Sequence, residues 1–154
     1  MPLRHAGSDI DFAFHGAKLR YRATKAEARS ARTYVTCIGG KAVVGYYCFA
    51  AGGVRIDQLP KKQRRNMPSI VPVTIIGRLA VDGRYQGLGI GRGLLKDALS
   101  RALAASQIIG SAAVMVHAID EQAAAFYAAF GFQRYPEADR TFFMPMQTIH
   151  AATK

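Results

Sequence analysis

The sequence predicts a mixed α/β fold built around one central strand and the glycine-rich loop that follows it. Three observations carry this. A β-branched run over 73–81 leads through Gln86-Gly87-Leu88-Gly89-Ile90-Gly91-Arg92 into a helical stripe, a strand–loop–helix unit. Two runs rich in β-branched and aromatic residues flank Gly39-Gly40-Lys41, a hairpin signal that adds antiparallel strands. The chain has 154 residues, 50% of them hydrophobic, which predicts one domain with a sizeable core.

In chain order, residues 1–23 show no sustained period and form the least readable segment. From Thr24 to Ala31 the sequence reads as a helix, with Thr24 as N-cap and Glu27 completing a capping box. Lys25, Arg29 and Arg32 share one face of it, either a solvated face or part of a nucleic-acid surface. Residues 33–38 and 43–50 are the two arms of the hairpin. Gly52-Gly53 marks a break, followed by a short strand or edge over 54–56. A polar loop spans 57–72, bounded by Pro60, Pro68 and Pro72, and within it Lys61-Lys62-Gln63-Arg64-Arg65 packs four cations into five positions.

After the central strand and the loop, the helix runs from about Ile90 to Ser106, its core stripe formed by Leu94, Leu95, Ala98, Leu99, Ala102 and Leu103. A strand follows over 112–118. Asp120 can cap a helix from Glu121 to Phe130, and Gly131 supplies its stop. The last strand covers 141–146, and the tail 147–154 reads as polar and flexible.

A formal net charge of +11 points to an anionic partner such as RNA, DNA, an acidic protein or a membrane surface, or else to solubility alone. No apolar run reaches the ~18–20 residues needed to span a bilayer, and the start of the chain lacks a signal-peptide core, so a cytoplasmic location is expected. Cys37 and Cys48 lie in strand-like runs without metal-ligand spacing; they read as reduced core residues, and no metal is expected.

The loop after the central strand is where chemistry is expected. Glycines at 87, 89 and 91 let successive amides approach one anion, and the helix that follows adds unpaired amides and the positive end of its dipole. A ligand-free glycine-rich turn is the alternative. A Walker A loop is excluded because no Gly-x-x-x-x-Gly-Lys-Ser/Thr run occurs. A dinucleotide fingerprint is excluded because the spacing is Gly-x-Gly-x-Gly and no acidic residue stands about 20 residues on. Arg92, in the first helical turn, opposes the dipole by less than about 1 kcal/mol, which a bound anion would compensate and an ordinary surface would tolerate.

Gln86-Gly87-Leu88-Gly89-Ile90-Gly91 resembles the acetyl-CoA loop of the GNAT acetyltransferases. Phe126-Tyr127-Ala128-Ala129-Phe130-Gly131-Phe132 resembles the element that lies beside the cofactor sulfur in that family. The longer run is similar to the TacT/AtaT-like toxins of bacterial toxin–antitoxin pairs. It is carried by Ala31-Arg32-Thr33-Tyr34-Val35, Val44-Gly45-Tyr46-Tyr47, Arg64-Arg65-Asn66-Met67-Pro68, Val71-Pro72-Val73, Gly77-Arg78-Leu79-Ala80-Val81-Asp82 and Val116-His117-Ala118. The chain departs from the toxins at its N-terminus, where it has no version of their Phe-x-Cys-Gly and Leu-Asp-x-Trp-Leu motifs and no tryptophan at all.

The resemblance implies a GNAT fold, a central mixed sheet of about six to seven strands flanked by helices, with splayed central strands holding acetyl-CoA. It implies an enzyme, an N-acetyltransferase that acetylates the amino group of aminoacyl-tRNA and stops translation. It assigns Leu79, Ala80, Val81, Gln86, Gly87, Leu88, Gly89, Ile90, Gly91, Arg92 and Phe126 to cofactor binding, and Tyr127 to protonation of the departing thiolate. It favours RNA contact for Lys61, Lys62, Arg64 and Arg65 over a solvated loop or a grip on an acidic antitoxin tail. It implies a ribbon-helix-helix antitoxin and a homodimer as partners.

Residue chemistry adds one discrimination. An α-amino group, with an ordinary pKa near 7.7–8.0, is partly neutral at pH 7, whereas a lysine amine near 10.4 needs a base. Asp82, Glu121 and His117 are the candidate bases, and each also has a structural role open to it. A weak base favours an α-amine acceptor. The competing readings are acetylation of a small amine or protein N-terminus, and a non-catalytic basic module that binds RNA or a partner.

Overall fold

β-Branched and aromatic residues dominate the first third of the chain, and they form an antiparallel meander. The computed structural model describes residues 10–14, 17–23, 31–38, 42–135 and 140–152. Strand β1 (Ile10–Phe14) pairs with β2 (Ala17–Ala23), β2 with β3 (Arg32–Ile38), and β3 with β4 (Ala42–Arg55), each antiparallel. The segment without a readable period therefore supplies two strands, with Ile10 opposite Tyr21 and Leu19 opposite Ile38. Ladder hydrogen bonds are made by the backbone and need no side-chain period. The helix predicted from Thr24 and the Gly39-Gly40-Lys41 turn lie outside the described residues.

By its contacts the chain divides into two compact units, where its length predicts one domain. Met1–Ala50 with Gly77–Ala98 form the first, and Ala51–Ile76 with Leu99–Lys154 the second.

The first unit contains the order β1-β2-β3-β4, the end of β5 (Ile70–Val81) and the first half of helix α1 (Ile90–Ser106). The Asp82 amide, just past β5, donates to the Val44 carbonyl of β4 at 2.7 Å. Gly45 makes this close approach feasible: a Cβ there would lie 2.9 Å from Leu94 Cδ1 and 3.0 Å from the Ala80 carbonyl oxygen. Val35, Val44, Ile90, Leu94 and Leu95 fill the core. Buried among them, the Tyr47 hydroxyl donates to the Asp97 carboxylate, and Tyr47 stacks on Tyr34 with ring centroids 5.2 Å apart. Asp97 sits on the α1 stripe that the sequence marks as apolar; its tyrosine partner is 50 residues upstream, so no local pattern announces the pair.

β4 runs straight through Gly52-Gly53, which the sequence reads as a break. The glycines answer a packing demand, not a turn. A Cβ at Gly52 would stand 2.3 Å from Ile75 Cδ1, and one at Gly53 2.9 Å from Ile70 Cγ2, so side chains of β5 occupy the space.

The second unit has the order β5-β6-β8-β7, with β6 Ala113–His117, β7 Gln133–Arg134 and β8 Thr141–Pro145. β5 and β6 are parallel, with Thr74 opposite Val114; β6 with β8, and β8 with β7, are antiparallel. This mixture of parallel and antiparallel pairs, with helices, is the fold class the sequence predicts.

Successive residues of β8 point to opposite faces of the sheet. Phe142 and Met144 face helix α2 (Glu121–Phe130): Phe142 lies 6.3 Å from the Tyr127 ring, and Met144 Cε would touch a Cβ at Gly131 at 3.5 Å. Phe143 faces the other way and joins Leu59, Val71 and Tyr135 in a buried cluster. Leu59 belongs to the polar loop after β4, so that loop covers the face opposite α2.

The segment from Gln147, read as a flexible tail, continues as helix α3 (Met146–Ala152), with Ile149 only 2% exposed. Met146 and Ile149 are spaced three apart and sink one side of a short helix into the core, a pattern too brief to stand out in the sequence. Among the described residues no helix is long and apolar enough to cross a membrane, and no group of three or more His, Cys, Asp or Glu side chains is gathered as a metal set.

Candidate functional site

In the first unit, the end of β5 and the start of α1 hold the whole predicted cofactor segment in one continuous piece. Leu79 and Val81 are half-buried and Ala80 is exposed. Asp82 then caps a short 3-10 turn (Gly83–Tyr85), accepting from the Arg84 amide at 2.9 Å and pairing with its guanidinium at 3.1 Å. The side-chain bond from Arg84, joined by the bond from its amide, holds the Asp82 carboxyl below the usual carboxylate range. A carboxylate so engaged is a poor proton acceptor for an amine, which leaves Asp82 as a turn former.

Gln86 Nε2 donates back to the Val81 carbonyl at 3.2 Å, so this side chain braces the loop onto the strand end. The sequence assigns Gln86 to the cofactor; the structure gives its amide side chain this bracing bond.

Gly87 and Gly89 adopt φ of 75° and 88°, the left-handed region that side chains resist. Gly89 also accepts the first helical bond, from the Gly93 amide at 3.1 Å. The Ile90 and Gly91 amides therefore lie at the end of α1 where a helix supplies no acceptor of its own. Ile90 is buried and anchors this end, while Leu88 (39% exposed) and Arg92 face outward. Gly91 is helical and needs no unusual φ. The three glycines thus divide into two that shape the loop and one that keeps the first helical turn bare.

In the second unit, α2 is fixed at both ends. Asp120 Oδ1 accepts from the Ala123 amide at 2.8 Å, and Gly131, at φ 111°, closes the helix. Between these caps Tyr127 is 6% exposed and surrounded by rings: Phe126 at 5.3 Å, Phe132 at 5.7 Å and Phe142 at 6.3 Å. Burial pushes its phenol above the ordinary value of 10, which keeps it protonated at neutral pH. Glu121 lies 3.5 Å from the Arg134 guanidinium, and His117, exposed at the end of β6, lies 3.3 Å from the Thr141 hydroxyl.

The basic cluster follows a pair of short 3-10 turns, Ile56–Gln58 and Lys61–Gln63. Lys61, Lys62 and Arg65 are exposed, but Arg64 is half-buried and turned inward. Its Nε donates to the Leu59 carbonyl at 2.8 Å and its Nη2 to the Asp57 carbonyl at 2.9 Å. The sequence groups Arg64 with the RNA contacts; the structure makes it the clamp that shapes the loop. Arg64→Ala is expected to cost about 1–2 kcal/mol in urea unfolding and to open the loop to limited proteolysis. An unchanged cleavage pattern would remove the clamp assignment.

Residues 29–134 match the family model described as the acetyltransferase (GNAT) domain. The chain belongs to the GNAT acetyltransferase family. Over 105 residues, 68% of the chain, it is 47% identical to a tRNA-acetylating toxin of Mycobacterium tuberculosis, and it spans 63% of that relative's own length. The fold of AtaT complexed with acetyl-methionyl-tRNAfMet superimposes with a TM-score of 0.76 at 28% identity, covering 82% of this chain and 77% of that one. A tyrosine-to-phenylalanine mutant of AtaT, bound to the C-terminus of the antitoxin AtaR and acetyl-CoA, matches with a TM-score of 0.67 at 27% identity, covering 80% and 73%. The GNAT fold is therefore shown both by the family model and by the likeness to these toxins.

Proposed function

We propose that this GNAT chain uses acetyl-CoA to acetylate the α-amino group of aminoacyl-tRNA, that it thereby blocks translation, and that a cognate antitoxin neutralises it. The observation that carries the reading is the bare loop at 87–91, two glycines at positive φ running into a helix start, on a chain related to a tRNA-acetylating toxin. Oriented amides with no side chains over them suit a pyrophosphate. Ile90 and Gly91 would hold it with Gly87, Leu88 and Gly89, while Leu79, Ala80 and Val81 would pair with the pantetheine arm. Arg92 would add positive charge at the phosphates, and Phe126 would line the thiol end. Acetyl-CoA supplies the acetyl group as a thioester.

Transfer then needs a polarised carbonyl, a neutral amine and a proton for the leaving sulfur. A β5 amide in the segment 79–81 serves the first as a preorganised donor. The second favours an α-amine: Asp82 is committed to Arg84, and Glu121 lies beside Arg134. An amine with a pKa near 7.7–8.0 supplies its own neutral fraction. The buried Tyr127 phenol supplies the proton. Lys61, Lys62 and Arg65 would attract the phosphates of the acceptor. The antitoxin is proposed to be of ribbon-helix-helix type, the chain to act as a homodimer, and its place to be the cytoplasm.

Radiolabelled acetyl-CoA with total charged tRNA tests this. The expected result is label on aminoacyl-tRNA that alkaline deacylation releases as N-acetyl amino acid. Label only on small amines or a protein terminus would replace the RNA reading with the small-amine one. Acetyl-CoA binding without any transfer would leave a binding module.

A further inference from the structure

The predicted general acid and the basic loop belong to the same unit but cover opposite faces of its sheet. Tyr127 packs on Phe142, and the C-terminal end of its helix meets Met144. The loop that carries Lys61, Lys62 and Arg65 reaches the sheet through Leu59, which shares a buried cluster with Phe143. Gln63 and Met67 line a small pocket with Phe143 and Pro145. Phe142 and Met144 alternate along β8 with Phe143 and Pro145, so the two layers are separated by the sheet itself. Each layer stands on the order of 10 Å from the sheet, a separation that one aminoacyl group cannot bridge.

The loop is also held in shape. Arg64 ties it to its own carbonyls at Leu59 and Asp57, which leaves the other three cations exposed and outward on a fixed turn. Three such cations are suited to a row of phosphates, which a long nucleic acid offers and a single amine does not.

We propose that Lys61, Lys62 and Arg65 form a docking subsite for the sugar–phosphate body of the acceptor nucleic acid, remote from the amine that is acetylated. The inference rests on the aminoacyl-tRNA reading. The loop selects acceptors by length and charge and contributes to KM, whereas the Tyr127 side of the sheet handles the aminoacyl end and sets kcat. A minimal acceptor that carries the aminoacyl end without the stem does not use the subsite.

The test compares full-length aminoacyl-tRNA with a short aminoacylated 3′-terminal fragment of the same RNA, using wild type and the triple variant Lys61→Gln, Lys62→Gln, Arg65→Gln. Wild-type turnover of neither RNA would remove the aminoacyl-tRNA reading itself. With wild-type turnover established, the triple variant is expected to raise KM for full-length tRNA about tenfold or more at moderate salt, with kcat unchanged. The slope of log KM against log salt should fall by about one for each cation removed, and fragment turnover should be retained. Equal KM values for wild type and variant on full-length tRNA would overturn the subsite, and would leave the loop to an acidic protein partner. A parallel loss on the fragment would overturn it too, because the loop would then act at the aminoacyl end.

Discussion

Tyr127→Phe is expected to fold and to bind acetyl-CoA as the wild type does, while kcat for acetyl transfer falls by about 10²- to 10⁴-fold, the usual range for loss of a general acid. The ring makes its contacts with Phe126, Phe132 and Phe142 through carbon, and phenylalanine keeps them. Removing one hydroxyl changes stability by no more than about 1 kcal/mol, which urea unfolding would register as a small shift. The pH dependence identifies the role. Burial raises the phenol above 10, so this acid stays protonated and imposes no alkaline fall in rate between pH 7 and pH 9. Over the same interval the acceptor α-amine loses its proton, and the wild-type rate should climb towards a plateau above about pH 8. The variant should show the same climb to a much lower plateau. Because the folded pKa is raised, the stability linked to Tyr127 is present below about 10 and is lost as pH rises through the folded value. A variant with wild-type kcat would assign Tyr127 to packing alone.

The parts legible in the sequence are those where a local rule has one cause. α1 begins at Ile90 and α2 runs from Glu121 to Phe130 as read, because the glycines before one and the Asp120 and Gly131 caps of the other mark backbone states that few residues supply. The parts misread are those where one residue type serves two causes. Gly52 and Gly53 look like a turn, but the need they meet is room for Ile75 and Ile70, set by a neighbouring strand some twenty positions away. Arg64 counts as a surface charge in composition, yet its five donors also suit backbone carbonyls, and the loop uses it that way. Asp97 interrupts an apolar stripe and reads as exposed until Tyr47 is brought over it. β1 and β2 carry no period because their pairing is made by the main chain. Tyr127, the residue on which the chemistry turns, was legible only as part of a family motif. Its burial among three rings comes from strands that follow it in the chain, and no spacing before them foretells it.

Gly87→Ala separates a phosphate cradle from a plain turn. The φ of 75° at this position is left-handed, and alanine resists it by about 1–2 kcal/mol. Space is not the issue, since a Cβ at Gly87 would meet nothing within 4 Å. The substituted loop therefore either holds its shape at that cost or relaxes to negative φ and swings its amides away. Held strain appears as lost stability alone. Relaxation appears as lost affinity, because a hydrogen bond to a charged phosphate contributes about 1.5–3 kcal/mol and at least one amide would miss its target. The bare loop favours relaxation: Gly87 is exposed and no neighbour stands where its Cβ would be, so nothing there pins the strained state. Calorimetric titration with CoA, which lacks the acetyl group and reports the phosphate end, should show a Kd raised about tenfold or more. Gly83→Ala is the matched control, open around its Cβ in the same way but outside the positive-φ set, and should bind CoA as the wild type does. A Gly87→Ala chain with lowered stability and wild-type CoA affinity would make 87–91 a turn, and the pyrophosphate would have to be held elsewhere on the chain.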